Sequence, residues 1–374
     1  MNNTARMSVI SHFSNITDPR LHRTKKHPLI NIIFISLTAL LCGCETWAEV
    51  EVFGKSQKPY LLKYIDLSNG IPSHDTFGRV FALLDMDKFQ ESFLSWTNDI
   101  CNNTKGKIVA FDGKTLRRSG DKIKGKKAIH MVSAWVVENN IVLSQTKVED
   151  KTNEITALKN LFEILNLKKS IITIDAMGCQ KDIARIITGK KADYVLALKS
   201  NHKTLHKDVI NTFKLKNAPI ESTYQTNEKN RNRLEKRTYS LVTNKEDLNF
   251  INQNNKWTNL KGIVEVKSKR QIIGEEPKLE TRYYITSLTN IKHISNAIRS
   301  HWGIENKLHR SLDVSFREDD SRARNGNSAA NLSTLRRITI NLIRQDKSKG
   351  SIKVKRTKAA FDTKFRDKLL FQGN

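Results

Sequence analysis

Two apolar segments of this chain each end directly in an aspartate. Residues 108–112 read IVAFD and residues 171–175 read IITID, so the segments end in Asp112 and Asp175. A short apolar run bounded by polar sequence is typical of a strand buried inside a sheet. A carboxylate at the end of such a strand is costly unless something compensates its charge. If the two strands are parallel neighbours, their backbones lie roughly 4.8 Å apart and both carboxylates meet at one sheet edge.

The apolar spacing around these segments predicts an α/β fold. The order of elements predicts a mixed sheet that is antiparallel at first and is then extended by right-handed parallel crossovers with flanking helices. The predicted strands are 108–111, 128–137, 141–148, 171–174 and 194–198, and the predicted helices are 155–165 and 181–187.

Residues 1–100 have a helical pattern and form a predicted N-terminal helical domain. Pro28 and Gly43 bracket a helix over residues 29–41, and Ser73 is a good N-cap for a helix over residues 76–84. Further helices are predicted at 47–53 and 59–65. A helix, a turn and a capped helix resemble a helix-turn-helix, which makes this domain a candidate for DNA binding. A helical hairpin that contacts no DNA is the alternative.

The second half of the chain changes character twice. Residues 201–290 are polar and rich in Asn and Lys, with strand candidates at 237–243, 262–266 and 283–288, which predicts a β-rich insertion. The helical pattern returns at residue 291, so residues 105–345 are predicted to be one domain that contains the insertion. Residues 346–374 are strongly basic and are predicted to be a tail that is either solvated or tracks a DNA backbone.

The charge of the chain indicates its kind of partner. The formal net charge is +27 and the sequence pI is near 9.9, which favours a polyanion such as nucleic acid over a merely solvated basic surface. The four cysteines are few and scattered, so a disulfide framework is excluded and a reducing compartment fits. The longest apolar stretch, residues 29–44, is shorter than the ~20 residues that span a bilayer. We therefore expect a cytoplasmic, nucleoid-associated protein without a membrane partner.

A glutamate far downstream is the candidate third acid. Ile294, Ile298 and Trp302 recur every four residues, and Glu305 falls on the same helical stripe. A carboxylate on that stripe points at the sheet, where it can meet Asp112 and Asp175. Three converging carboxylates suit magnesium, a hard cation that takes oxygen ligands. Asp313 remains a rival for the third position.

The predicted chemistry follows from the acids and the charge. A pair of magnesium ions can activate a water or a 3′ hydroxyl and stabilise the leaving oxygen in a displacement at phosphorus. Basic and aromatic residues near the acids are candidates for contact with nucleic acid, and Trp302 among them can stack on an unpaired base or fill the core. These candidates are Lys114, Arg117, Lys199, Arg299, His301 and Trp302.

Three sequence blocks around the acids resemble the motifs of DDE-type transposases of bacterial insertion sequences, in the branch called H-repeat-associated proteins. They are residues 112–114 (DGK), 174–180 (IDAMGCQ) and 301–306 (HWGIEN). The resemblance covers nearly the whole chain. Further matching blocks in the same order are residues 18–20, 27–29, 43–47, 72–77 and 151–155.

The resemblance implies a ribonuclease-H-like catalytic core with a β insertion before the last catalytic helix. It implies that Asp112, Asp175 and Glu305 are the catalytic triad and hold Mg²⁺ or Mn²⁺. The implied activity is cutting of double-stranded DNA at element ends that carry terminal inverted repeats, followed by joining to target DNA. Because two ends must be held together, a homodimer is expected when the protein is bound to DNA.

The chain departs from a signature of related transposases, Tyr-x2-Arg-x3-Glu-x6-Lys. Ile298, His301 and Leu312 stand at the Tyr, Arg and Lys positions, and only the glutamate agrees. A hairpin mechanism therefore does not carry over, whereas the metal ligands do. Two other functions stay open: a catalytically silent or domesticated DNA-binding relative, and a nuclease without strand transfer.

Overall fold

A computed structural model describes residues 9–21, 25–101, 103–121, 123–148, 154–215, 217–230 and 232–371. Of the sequence block 151–155, positions 151–153 lie outside these residues, as do positions 372–374 of the predicted tail.

One mixed sheet forms the centre of the described chain. Its strand order is β3-β2-β1-β4-β5-β9-β8-β7-β6. Strand β1 pairs antiparallel with β2 and parallel with β4, and β4 pairs parallel with β5. This confirms the mixed α/β sheet and the ribonuclease-H-like fold. The strands are β1 (Ile108–Thr115), β2 (His130–Val136), β3 (Ile141–Val148), β4 (Ile171–Ile174), β5 (Asp193–Leu198), β6 (Ser222–Asn230), β7 (Arg233–Val242), β8 (Gly262–Ile272) and β9 (Lys278–Thr286).

The β-rich segment continues the central sheet instead of standing apart from it. Strand β9 pairs antiparallel with β5, and β8, β7 and β6 follow outward. Strand β6 was not predicted, because it is a polar edge strand with no buried residue. The segment also holds two helices that were not predicted, α9 (Lys203–Lys214) and α10 (Lys245–Ile251). Helix α9 forms because Leu205, Val209 and Phe213 recur every four residues and are buried.

Helices cover both faces of the sheet. Helices α7 (Glu154–Ile164) and α8 (Lys181–Gly189) bury Leu161, Phe162 and Ile183 against one face. Helix α11 (Ile291–Gly303) buries Ile294 and Ile298 in a second cluster together with Ile108 of β1.

The N-terminal helices pack around α2 (Leu29–Leu41), which is buried on almost every side. The sequence predicted this buried helix correctly, with Pro28 at its N-cap. No helix among the described residues combines the length and the apolar character that crossing a bilayer requires. The other helices of this part are α1 (Ile10–Phe13), α3 (Trp47–Ser56), α4 (Lys58–Leu61), α5 (His74–Leu83) and α6 (Met86–Ile100).

The predicted helix-turn-helix paired a helix at 59–65 with the capped helix, but the first of these is only the short α4 (Lys58–Leu61). The capped helix, α5, is joined to α3 by aromatic packing. The predicted N-cap Ser73 accepts a hydrogen bond from the backbone N–H of Thr76. The Trp47 ring stacks on Phe81 with centroids 4.7 Å apart. A long buried helix, α13 (Ser328–Gln345), lies in the same core as α2 and α5. The helical part therefore shares one core with residues from the C-terminal end of the chain.

The prediction of a solvated tail is wrong for residues 346–371, while their contact with DNA stays a prediction. They form helices α14 (Ile352–Phe361) and α15 (Thr363–Phe371), and Phe365, Leu369 and Leu370 are buried in the core that contains α2. The basic residues misled the prediction because some of them are structural. Arg356 donates two hydrogen bonds to the Leu40 carbonyl, at 2.9 and 2.8 Å, where α2 ends. A positive group beside the last carbonyls of a helix is stabilising.

Replacing Phe365 by Ala is expected to lower the free energy of unfolding by about 3 kcal/mol or more, because the ring is buried and its removal leaves a cavity. Phe361→Ala is the matched control, since the Phe361 side chain lies in the same segment but is 85% exposed, against 5% for Phe365. Thermal unfolding of the full chain measures the stability of both variants. A solvated tail would instead make the two variants equal to the unsubstituted protein.

Candidate active site

The first two acids lie next to each other on parallel strands. Phe111 of β1 is in register with Ile174 of β4, so Asp112 and Asp175 follow at the point where this parallel pairing ends. Asp175 follows the last residue of its strand, as predicted. Asp112 does not end its strand, because β1 runs on to Thr115 and Asp112 pairs there with Ser133 of β2. The extension was missed because residues after Asp112 are polar, although they pair with β2.

Glu305 lies in an irregular part of the downstream helix. After α11 the chain forms a π-helical segment, Ile304–His309, and continues as α12 (Arg310–Phe316). Single π-helical turns are rare in proteins, and those that occur are often found at functional sites. Ile304 and Leu308 are buried, whereas Glu305 is exposed. The predicted stripe faces a cavity, since Ile298, Trp302 and Glu305 all line it.

One cavity of about 500 Å³ brings the three acids together. Asp112, Asp175 and Glu305 line it, along with Lys199, His301 and Trp302. Asp112 is largely buried, and Asp175 and Glu305 are exposed to the cavity and solvent. The sheet edge supplies two of the acids and the π-helical segment supplies the third.

The electrostatics show that the acids are not compensated. Burial, followed by the charges of Asp175 and Glu305, raises the pKa of Asp112 from 3.8 to about 7. The Nδ1 atom of His309 lies 3.4 Å from the Asp112 carboxylate. Burial lowers the pKa of His309 to about 3, so this ring is neutral at pH 7 and does not offset the carboxylate. The cavity thus has excess negative charge around Asp112.

A hard divalent cation fits this set of oxygen atoms. Carboxylate oxygens are the ligands that Mg²⁺ and Mn²⁺ prefer, and a cation would relieve the repulsion that raises the Asp112 pKa. Among the described residues, no three His, Cys, Asp or Glu side chains are already close enough together to hold an ion. The three acids line the same cavity, but their carboxylates are not close enough together to hold one ion. Metal binding would therefore require the exposed carboxylates to move toward Asp112.

Lys114 and Arg117 do not lie in the cavity. The Lys114 ammonium is buried between the carboxylates of Asp313 and Asp319, at 2.7 and 2.8 Å. Arg117 is exposed and lies 3.2 Å from Asp319. The rival third acid, Asp313, is therefore paired with Lys114 and is absent from the cavity lining.

Arg299 also lies outside the cavity lining. Its guanidinium donates two hydrogen bonds to the Glu228 carboxylate, at 2.8 and 2.7 Å. Because Glu228 belongs to β6, this bidentate pair fastens α11 to the edge of the extended sheet. This pairing could not be predicted, since the two residues are far apart in the chain.

Lys199, His301 and Trp302 do line the cavity. Lys199 is exposed directly after β5. His301 lies with Nδ1 3.1 Å from the Thr173 hydroxyl of β4, and burial lowers its pKa to about 4. Trp302 is 37% exposed and carries the Arg282 guanidinium 4.6 Å from its ring centroid, so it is not a core tryptophan.

Sequence reasoning missed three residues beside Asp112. His309 follows Glu305 by one helical turn, a spacing that could have been noticed. Glu154 and His130 form a pair at 2.5 Å, and the Glu154 charge adds to the rise of the Asp112 pKa. A side chain at Gly113 would overlap the His130 ring, so the glycine makes room for this pair.

Gly303→Ala is expected to destabilise the protein by about 1–3 kcal/mol and to displace the π-helical segment. A Cβ atom at Gly303 would lie 2.7 Å from the buried Trp135 ring. Gly189→Ala is the matched helical control, since nothing lies within 4 Å of a Cβ atom at that position. Thermal unfolding and the Mn²⁺ affinity of both variants test this. Equal behaviour of the two variants would show that the contact with Trp135 does not position Glu305.

Comparison with known proteins identifies the family. The model of the transposase DDE domain matches residues 103–342, and the DDE_Tnp_1-associated model matches residues 10–97. "Putative transposase YncI" of Escherichia coli O157:H7 is 42% identical over 372 residues, which is 97% of this chain and 94% of that protein. "H repeat-associated putative transposase YhhI" of Escherichia coli K12 is 39% identical over 364 residues, 96% of each chain.

Among solved structures, a piggyBac transposase synaptic complex with hairpin DNA matches 98% of this chain and 81% of its own, with 12% identity and a TM-score of 0.48. The family models and the relatives confirm the resemblance seen in the sequence blocks. The chain belongs to the family of transposases with a DDE domain, with relatives in its H repeat-associated branch.

Proposed function

We propose that this protein cuts DNA at the ends of an insertion sequence and transfers the strands to target DNA by two-metal phosphodiester chemistry. The observation that supports this most strongly is the meeting of Asp112, Asp175 and Glu305 in one cavity, with the Asp112 pKa raised to about 7 by burial and by the other two acids. Such a shift in a cleft is typical of a functional site.

The three acids have one role in this proposal, which is to hold Mg²⁺ or Mn²⁺. Bound divalent cations there would activate the attacking hydroxyl and stabilise the leaving oxygen. Asp112 is fixed by the sheet, and Asp175 accepts hydrogen bonds from the Met177 and Gly178 backbone N–H groups with its Oδ1 atom. Glu305 is exposed and free to adjust. Neutral His309 at 3.4 Å from Asp112 limits the directions in which that carboxylate can turn.

Other residues of the cavity suit the substrate. Lys199 is exposed in the lining and can attract a phosphate. The partly exposed Trp302 ring, stacked with Arg282, offers a face for an unpaired base. Lys114 and Arg299 are excluded from this role, because each is engaged by carboxylates of the protein itself.

The proposed partners are double-stranded DNA with terminal inverted repeats and a target DNA. The net charge of +27 supports binding to the phosphate backbone, with an affinity that falls as salt rises. Because one cavity acts at one DNA end, a homodimer bound to two ends is part of the proposal.

The test is incubation of the full chain with Mg²⁺ and duplex DNA that carries the element's own ends, with scrambled ends as the control. Joined products support the proposal. Cleavage without joining indicates a nuclease, and a retarded but uncut complex indicates a silent DNA-binding relative; either result contradicts strand transfer. Replacing Mg²⁺ by Ca²⁺ in a parallel reaction separates binding from chemistry.

A further inference from the structure

A second cavity lies between the N-terminal helices and the C-terminal part of the chain. Its volume is about 400 Å³, and it shares no lining residue with the acidic cavity. Trp47, Ala323 and Leu332 supply its apolar walls, and Ser321 supplies a hydroxyl. The cavity is therefore a separate candidate for a ligand.

A buried arginine in this cavity has an unsatisfied hydrogen-bond donor. Arg336 of α13 lines the cavity and is 2% exposed. Its Nε atom is buried without a hydrogen-bond partner, and among the described residues nothing forms an ion pair with its guanidinium. A buried guanidinium without an anion is costly, because water and counter-ions are both removed from it. Such a group calls for an anionic ligand.

The neighbouring buried arginines, in contrast, are paired. Arg337 lies 2.9 Å from Glu318, and both side chains are fully buried. Arg356 lies 2.6 Å from Glu45. Glu318 and Glu45 also attract Arg336, but three buried guanidinium groups face only these two carboxylates, which leaves one excess positive charge.

The rim of the cavity carries one arginine that forms no ion pair among the described residues. This residue, Arg322, is exposed in the lining. The acids of the rim are already engaged: Asp320 lies 3.2 Å from Arg317, and Glu49 accepts hydrogen bonds from the backbone at the start of α3. An anion entering here would meet two free guanidinium groups.

An unsatisfied oxygen of Glu45 limits which anions can bind in this cavity. Its Oε1 atom binds Arg356, whereas its Oε2 atom is buried without a hydrogen bond. A ligand that satisfies both groups must accept a hydrogen bond from Arg336 and donate a hydrogen bond to Glu45. A phosphate that keeps one proton does both, because its charged oxygens accept and its P–OH group donates. Sulfate, which has no proton near pH 7, would face the Glu45 carboxylate with an oxygen anion.

We propose that the cavity between Trp47, Glu45 and Arg336 is a binding site for a monoprotonated phosphate group, with Arg336 and Arg322 as donors and Glu45 as acceptor. This chemistry belongs to inorganic phosphate and to a phosphate monoester such as the 5′-phosphate at a DNA end. A phosphodiester of the DNA backbone lacks the proton. The site itself does not depend on the proposed function, and only the DNA end as a source does.

Thermal unfolding of the full chain tests the site directly. Inorganic phosphate at pH 6.5 is expected to raise the midpoint by roughly 2 °C or more over sulfate at equal ionic strength, because a ligand that binds only the folded state stabilises it. Sulfate controls for the general stabilisation that such salts cause. Equal shifts with phosphate and sulfate in the unsubstituted protein would overturn the proposal.

Matched variants identify the residues. Arg336→Met is expected to fold, because it replaces an unpaired buried charge by an apolar side chain, and to abolish the phosphate-specific shift. Arg322→Gln, an exposed position that poses no folding problem, is expected to reduce the shift by at least half. Arg185→Met, an exposed arginine outside the cavity, is the control and should respond like the unsubstituted protein. A full response in Arg322→Gln and Arg336→Met would overturn the assignment.

Binding to DNA with and without a 5′-phosphate separates the two sources. Tighter binding of the phosphorylated duplex, lost in Arg336→Met, supports a DNA end as the ligand. A response to inorganic phosphate without any preference for phosphorylated ends supports a free phosphate. A chain that cuts no DNA but keeps the phosphate-specific shift would contradict the proposed function and leave this site in place.

Discussion

Asp112→Asn is expected to reduce DNA cleavage at least a thousandfold while changing the affinity for DNA less than about twofold. Loss of a residue that only supports a metal ligand commonly costs 10–100-fold in affinity or activity, so loss of a ligand itself costs more. DNA affinity is retained because it comes from many basic residues spread over the surface. Cleavage of labelled end DNA and a mobility-shift titration measure the two effects.

Two substitutions serve as controls for this experiment. Asp182→Asn changes an aspartate of α8 that pairs with Lys159 and Arg185 and lies outside the acidic cavity. It should leave cleavage unchanged. Asp313→Asn tests the rival third acid, and cleavage should persist there because Asp313 pairs with Lys114 and does not line the cavity. Cleavage by Asp112→Asn at the unsubstituted rate would remove Asp112 from the mechanism.

The contribution of Asp112 to the stability of the metal-free protein is expected to fall as pH rises from about 4 to about 7. The pKa of Asp112 is 3.8 when unperturbed and about 7 in the folded protein, so the folded state binds the proton more tightly than the unfolded state does. This stabilisation is present in full below pH 3.8 and is lost as pH rises through about 7. The difference between the two pKa values corresponds to at most about 4 kcal/mol.

The same substitution isolates this effect from all other titrating groups. Asp112→Asn removes the charge, so its melting temperature should exceed that of the unsubstituted protein above pH 7 and approach it near pH 4. Added Mg²⁺ should stabilise the unsubstituted protein and should not stabilise the variant. Differential scanning calorimetry across this pH range measures both. Parallel pH profiles for the two proteins would contradict the electrostatic repulsion described for the cavity.

Local pattern was sufficient to predict the elements that bury a continuous apolar stripe. Strands β3 and β4 and helix α2 have the predicted bounds, because their apolar runs are uninterrupted and their ends carry turn or cap residues. The order of strands and helices predicted parallel crossovers, and the pairing of β1 with β4, which the sequence left as a condition, is one of them. The meeting of Asp112 and Asp175 was predictable from that pairing.

Other features depend on contacts that the sequence does not display. The helices at residues 346–371 looked like a basic tail, yet Arg356 and Phe365 are buried against the N-terminal helices. Lys114 and Arg299 looked free to bind phosphate, but each finds a carboxylate that is distant in the chain. The π-helical segment was equally hidden, because Gly303 at its start is the only local sign of it and a glycine there does not by itself predict a change of the helical repeat around Glu305.

Crystals of the protein soaked with Mn²⁺ test the central claim, which is that Asp112, Asp175 and Glu305 together hold divalent metal. An anomalous difference map is expected to show manganese in the cavity bounded by β1, β4 and the π-helical segment, with a carboxylate oxygen of each of the three residues as a ligand. Manganese bound only elsewhere, or ligated in this cavity without Glu305, would contradict the claim.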